Sequence, residues 1–478
     1  MSATRPTPLH RGPQPNARRQ SRFQLTWLTL ARILVIGYST AGRTFAYIGV
    51  WQLKIFLGEF VLAVFLWRKH RAFDWFFLRA RRNRHVEMLR AALIIFILYG
   101  VVSVLVGYYN QPQYMLAAFQ NFAYNYYALY LIIGVWVAAN YRLDMRKMAI
   151  IFGWVHGIYG AAWVLVLNKI SMEIPGTPGV ELFGQPTGAA IALVCMICFE
   201  PRVGKIALPA LLNLFVMAGV QVRSEWMGFM VAFVAWAVLA RQFSRFASIL
   251  GIVIVLTSLG LFFDVKLPGT AGRGGEVSVQ GIVGRMLAPF DPHLAEKYVE
   301  GAEGLGGTAD WRKNWWKAIW KNNNEGPAIR RFLGEGYGFP ITDVVTFVQD
   351  SGIRTPHNIF FYALGYGGWC GIAVFIGFQG TLIWCLYRAY KLTGQPFGVV
   401  FWVLALVMAL LGNQLETPFG AIPFYLLVGM SLKPLFTPRE LWEEQRRPRG
   451  GPRQFFQPVT PVPFREASGY KERLNMHR

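Results

Sequence analysis

An all-α membrane protein crossing the bilayer about twelve times is the fold class this sequence predicts, and three observations predict it. Hydrophobic residues make up 54% of the 478 positions and charged residues only 15%, against about 25% charged in an average soluble chain. Apolar runs near twenty residues recur, such as "ALIIFILYGVVSVLVGYY" and "SILGIVIVLTSLGLFF", each long enough to cross about 30 Å of hydrocarbon as a helix. Basic residues collect in every second connector, as a multi-pass topology requires. Strand-like alternation at barrel spacing is absent.

The spans fall near 25–41, 48–67, 91–109, 121–139, 149–167, 187–199, 206–221, 226–240, 246–263, 368–387, 397–414 and 420–433. A polar, Pro- and Arg-rich tail precedes the first of them directly, so no cleavable signal is expected. One connector is long, from 264 to 367, and its Trp, Phe and Leu content argues that it is ordered and functional. The chain thus divides into an N-terminal tail (1–24), spans one to nine (25–263), a loop domain (264–367), spans ten to twelve (368–433) and a C-terminal tail (434–478).

The net charge of +23 follows this topology. "WRKHRAFDWFFLRARRNRH", "YRLDMRK", "PRVGK", "RQFSR", "YRAYK" and the tail "EQRRPRGGPR" carry it, whereas the alternate short connectors offer mainly Arg43, Lys169 and Arg223. The pattern puts both termini in the cytoplasm, and membrane lipids rather than nucleic acid account for the positive balance. Cys195 and Cys198 are spaced C-x-x-C but lie within one span, where they read as packing residues.

Three places carry polar chemistry on the predicted outer face. In "TPHNIFF" the residue types suit Thr355 as N-cap and Pro356 as first helical residue, which would put His357 in the first turn. The helix dipole there disfavours imidazolium and keeps the ring a potential general base. Asn358 either orients that ring, binds substrate or helps cap the helix. "TADWRKNWWKAIWKNN" forms an amphipathic helix, with Trp311, Trp315, Trp316, Ile319 and Trp320 on one face and Lys313, Lys317 and Lys321 on the other. Arg312 falls within the aromatic face, so it either stacks on an indole or points into a site beneath the helix.

In "GVQVRSEWMGFM" the turn between spans seven and eight is so short that Arg223 is pinned near the membrane surface, with Glu225 as a candidate ion partner or an anionic ligand as the alternative. Lys54 and Glu59 are charges within span two, and a proton or ion pathway is conceivable there. The chain has no D-x-D near the outer face, no H-E-x-x-H, no phosphate-binding G-x-x-x-x-G-K-[ST] and no G-x-S-x-G elbow, so no metal and no cofactor are expected.

Taken together and in order, these motifs resemble the O-antigen ligase and O-antigen polymerase family of bacterial polysaccharide assembly, best over about 185 to 390. "VRSEW" supplies Arg223 and Trp226, with Val222 where the family's pattern usually has serine. "RKNWW" supplies Arg312 and Trp316, "FLGEGYG" a Gly-x-Gly turn, and "HNIFFYALGYGGWCG" supplies His357, Asn358, Gly368 and Gly371. Tyr366 stands where an acidic residue is common, nine positions after the histidine.

The resemblance implies a metal-independent glycosyltransferase at the outer face of the inner membrane. Its donor would be a glycan on undecaprenyl diphosphate, and its acceptor a lipid A-core sugar (ligase) or a second lipid-linked repeat (polymerase). Other polysaccharide-assembly membrane proteins would be partners. His357 would deprotonate or orient the acceptor hydroxyl and Arg223 and Arg312 would hold the diphosphate, with Asn358, Trp316, Trp226 and Glu225 lining the substrate site. A lipid-linked-glycan transporter or a non-catalytic assembly subunit are the other classes; a transporter should gather its charges at mid-membrane rather than on one face.

Overall fold

The computed structural model describes residues 26–50, 55–79, 83–175, 177, 179–268, 276–287, 302–344 and 355–437. The N-terminal tail, the C-terminal tail after residue 437 and Lys54 lie outside them.

The described chain is a bundle of helices: α1 (Trp27–Ala46), α2 (Leu57–Arg68), α3 (Arg84–Asn110), α4 (Met115–Tyr126), α5 (Tyr130–Asn140), α6 (Met145–Leu165), α7 (Ala189–Phe199), α8 (Val203–Val220), α9 (Arg223–Ala240) and α10 (Phe243–Phe262). The loop region holds α11 (Val279–Leu287), α12 (Ala302–Glu325) and α13 (Ala328–Leu333), and the chain returns through α14 (Ile359–Thr393), α15 (Phe397–Leu411) and α16 (Pro418–Ser431). Strand is confined to two small hairpins, β1 (Gly49–Val50) with β2 (Ile55–Phe56) and β3 (Lys266–Pro268) with β4 (Glu276–Ser278).

Among the described residues, seven stretches are long and apolar enough to cross a membrane: 84–110, 112–140, 145–165, 203–220, 223–240, 243–262 and 359–393. Helices α7, α15 and α16 are shorter but equally apolar. A helix therefore occupies each expected span, and the chain is an all-α polytopic membrane protein.

Span two differs from expectation. Its described residues before α2 include the paired strands β1 and β2, and the helix covers only 57–68. The cause is local: the Glu59 carboxylate accepts the Phe56 backbone N–H at 3.0 Å, so α2 starts there instead of continuing back toward 48. The same carboxylate accepts the hydroxyls of Tyr126 (3.0 Å) and Tyr127, so its charge is satisfied within a capping network.

The core is aromatic and close-packed. Tyr38, Phe65, Phe96, Tyr130, Phe378 and Tyr425 are fully buried, and Phe96 of α3 stacks on Phe378 of α14 at 4.7 Å. Helices α5 and α16 approach through glycines: a Cβ on Gly429 would sit 3.1 Å from the Gly134 Cα. A second cluster, including Trp163, Met196, Val216 and Val220, joins α6, α7 and α8.

Helix α14 is not one straight rod. Gly368 has φ +57 and ψ −158, which separates 359–367 from the membrane-spanning remainder. "FLGEGYG" packs on this break: Glu335 N–H donates to the Gly365 carbonyl (3.1 Å), Gly336 N–H to Tyr366 (3.0 Å) and Tyr337 N–H to Ser103 of α3 (2.8 Å). Gly334, at φ +71, leaves no room for a side chain, because a Cβ would lie 2.5 Å from the Tyr366 carbonyl. The glycines thus let two backbones touch, and that contact docks α12 and α13 onto α14.

Candidate active site

Helix α12 lies across the start of α14 with its residues sorted by face. Trp315 and Ile319 are buried and Trp311, Arg312 and Trp316 half-buried, whereas Lys313, Lys317 and Lys321 are exposed. Trp320 leaves the buried face; it is 48% exposed and packs edge-on against Trp369 at 5.3 Å. The Trp315 indole donates to the Ile341 carbonyl at 3.2 Å and the Trp316 indole to the Pro356 carbonyl at 2.8 Å. Trp316 also stacks on Phe361, with centroids 5.3 Å apart and planes 6° from parallel. These bonds fix α12 directly over the 355–358 turn.

Of the two residues with capping chemistry in this turn, Thr355 is the expected N-cap and Asn358 the alternative. Asn358, not Thr355, is the N-cap of α14, and its Oδ1 accepts the backbone N–H groups of Phe360 (2.9 Å) and Phe361 (3.4 Å). His357 therefore precedes the helix instead of lying in its first turn. It occupies the left-handed region at φ +51, an uncommon conformation for a side-chain-bearing residue that costs about 1–3 kcal/mol and persists only where neighbours enforce it. Asparagine won the cap because its amide has a second use: Nδ2 donates to the Leu410 carbonyl of α15 at 2.9 Å.

Arg312 has both environments that its position in the aromatic face left open. Its Cζ lies 5.6 Å from the Trp311 ring centroid, and Nη1 is 3.5 Å from the Leu411 carbonyl at the end of α15. His357 stands edge-on to the same indole at 6.5 Å. Burial first, and the Arg312 guanidinium second, push the His357 pKa from 6.5 down to about 4. No described residue makes a hydrogen bond to either ring nitrogen of His357. His156, within the bundle, is the contrast: its Nδ1 lies 2.7 Å from Asn213 Oδ1, and its Nε2 accepts the Gly188 N–H at 3.2 Å. One histidine is spent on structure and the other is open.

Arg223 begins α9 after a turn of only Gln221 and Val222. Val222 at the N-cap gives no side-chain acceptor, so the amides of the first turn add a positive field to that of the guanidinium. Ser224 packs against the end of α15, its Oγ 3.3 Å from where a Cβ on Gly412 would lie. Leu410, Leu411 and Gly412 thus touch Asn358, Arg312 and Ser224 in succession, and the end of α15 gathers all three sequence motifs at one place. Glu225 in the first turn is 1% exposed. Trp226 is turned toward α8, donating its indole N–H to the Met217 carbonyl at 2.7 Å. Tyr366 is buried among Tyr362 (4.8 Å) and Tyr337 (5.6 Å). Among the described residues, no three His, Cys, Asp or Glu side chains gather at ligand spacing.

Glu416, which the sequence reading passed over, also belongs to this place. It lies in the α15–α16 connector with both carboxylate oxygens shielded from solvent and out of hydrogen-bond geometry with every described residue. Burial raises its pKa to about 8, and the Thr355 side chain draws it partway back. Its signal in the sequence was a lone carboxylate in "QLETPFG", a connector with no basic residue to neutralise it.

Residues 208–376 match the family model described as O-antigen ligase. That stretch runs from α8 to the middle of α14 and takes in Arg223, Arg312 and His357. No curated protein matches the chain.

Proposed function

We propose, from the match of residues 208–376 to the O-antigen ligase family model, that this chain is an enzyme of that kind, moving a glycan from undecaprenyl diphosphate to a sugar hydroxyl at the periplasmic face of the inner membrane. One observation carries the reading. The His357 turn, the Arg312 side chain and the first turn of α9 meet on three consecutive residues, Leu410 to Gly412, at the end of α15.

The chemistry follows from the groups present. The acceptor oxygen attacks the anomeric carbon, the bond from that carbon to the diphosphate oxygen breaks, and its electron pair leaves with the diphosphate. The hydroxyl proton passes to a ring nitrogen of His357. Arg312 and Arg223 meet the charge that develops on the leaving diphosphate, a stabilisation worth about 2.7–4 kcal/mol for one such donor. No metal is needed for this step, since two permanent cations and a helix N-terminus serve the same charge. Binding of the diphosphate offsets the Arg312 charge felt by His357 and so raises the basicity of the ring as the transfer begins.

A lipid-borne donor fits the surroundings of Arg223. Met230, Val231, Val234 and Val238 are exposed at 44%, 41%, 52% and 56%, and they share a helical stripe with Arg223 at the top. A lipid phosphate would reach the arginine from within the bilayer with its tail beside that stripe.

The test is transfer by purified protein in vesicles, supplied with lipid-linked repeat units with and without lipid A-core. A ladder from donor alone identifies a polymerase; a product that requires the core identifies a ligase. His357→Ala and Arg223→Ala variants working at the parent rate would sink the mechanism. Unchanged turnover in chelator is the expected result for a metal-free step.

A further inference from the structure

The two-residue turn ahead of α9 contains an amide that the fold does not use. Gln221 closes α8 in the left-handed region, at φ 60 and ψ 34, and its backbone N–H donates to the Met217 carbonyl at 3.2 Å. The turn needs only that backbone, which glycine would supply without strain. Yet the side chain standing there is long, polar and only 8% exposed. Neither its Nε2 nor its Oε1 has a hydrogen-bond partner among the described residues. A buried amide with both ends open is costly, and a ligand that supplies both partners would remove that cost.

The position of Gln221 narrows the ligand. It is two residues before Arg223, so their Cα atoms lie within about 7 Å of each other. Val222, between them, gives no side-chain cap to the first turn of α9. A guanidinium and backbone N–H groups can meet phosphate oxygens, but none of them accepts a hydrogen bond. The Gln221 amide does both, since Nε2 donates and Oε1 accepts. A diphosphate alone carries acceptor oxygens and would leave Oε1 unanswered. A sugar attached to it, with a hydroxyl or an acetamido N–H at C2, supplies the missing donor.

We propose that Gln221 is a donor-binding residue at the junction of diphosphate and sugar, with Nε2 on a phosphate oxygen and Oε1 accepting from the C2 substituent of the first saccharide. This rests on the transferase reading above. It narrows the donor to one whose first sugar carries a hydroxyl or acetamido group at C2. The bond that breaks in transfer lies between the two contacts.

Gln221→Met keeps nearly the same length and the same left-handed backbone, so it removes the amide and little else. The protein in nanodiscs is titrated with undecaprenyl diphosphate and with the same lipid bearing one N-acetylhexosamine. Kd is read from the ligand-induced rise in Tm. Without ligand, the Tm of the variant should hold or rise, because an apolar chain replaces an unpartnered buried amide. Binding should weaken about a hundredfold for the saccharide-bearing lipid, where two hydrogen bonds are lost. For undecaprenyl diphosphate alone, which loses one, the change should be about tenfold.

A lower Tm in the ligand-free variant overturns the proposal, because the amide would then be holding the protein together. Equal weakening for the two lipids overturns it as well, since the sugar contact would be missing. The transferase reading fails separately, if the parent protein binds neither lipid. A parent that binds both, with a Gln221→Met variant that binds them equally well, rejects only the role of Gln221.

Discussion

His357 titrates in the field of Arg312. Burial supplies most of the shift and the guanidinium the rest, and together they carry the imidazole pKa from 6.5 to about 4. The neutral, proton-accepting ring is thus the only form present at physiological pH. Activity as kcat/KM, which reports the free enzyme, should keep its acid limb near pH 4 instead of near 6.5. Arg312→Gln removes the second cause and leaves the first, so the limb should move upward but stop short of 6.5. A limb that stays in place would mean that the arginine does not act on the ring. The folded chain should also lose stability as pH falls from 6.5 toward 4, because over that window the unfolded chain binds a proton that the folded one refuses.

Removing the base itself should be more severe. His357→Gln keeps a polar side chain of similar reach but accepts no proton at this strength, and a general base is worth about 10²- to 10⁴-fold. The loss should appear in kcat, with donor binding intact. A parallel loss of donor binding would point to a binding role for the ring.

Arg312→Lys keeps the charge and abandons the planar group that lies on Trp311 and reaches the Leu411 carbonyl. Transfer should fall by about 10²- to 10³-fold, the usual loss for one charge-stabilising donor. Comparable activity in the lysine variant would show that charge alone suffices.

How much of this was legible in the sequence depends on how local each signal was. The apolar helices could be read from the sequence, because burial in lipid leaves little freedom in composition. The short turn before Arg223 was legible for the same reason: Gln221 and Val222 are all that connect two spans. Span two was misread because Glu59 sets a late start to the helix through a backbone contact, which hydropathy does not register. The cap at Asn358 was misassigned to Thr355 because both residues have capping chemistry, and the choice was made by a carbonyl on α15, 52 residues away. Glu416 was missed because its environment comes from α4, α14 and the turn at 355, which only the fold brings together.

The Asn358 bridge gives a prediction with an internal control. Asn358→Ala loses both the cap and the bond to α15, and it should lower stability by about 1–2 kcal/mol and reduce transfer with it. Asn358→Asp keeps an oxygen for the cap, replaces the amide donor with a second acceptor and faces the Leu410 carbonyl. If the bridge matters for the site, the aspartate variant should fold nearly as well as the parent and still lose activity. Should it retain full activity, the cap alone explains the residue.

The glycine contact at the break in α14 can be tested in the same helix. A Cβ at Gly368 would fall 2.6 Å from the Gly334 nitrogen and the Phe332 carbonyl oxygen, on a backbone at φ +57. Neither backbone can give way, since Gly334 is itself pressed against Tyr366. Gly368→Ala should therefore detach the α12–α13 segment from α14 and take Arg312 away from His357. Thermal unfolding should shift to clearly lower temperature, and transfer should be lost even where the protein still inserts. Gly377→Ala, nine residues further along the same helix and with nothing within 4 Å, should be neutral or slightly stabilising by its helix propensity. Equal behaviour of the two alanine variants would mean that the backbone contact at Gly368 does not hold the site together.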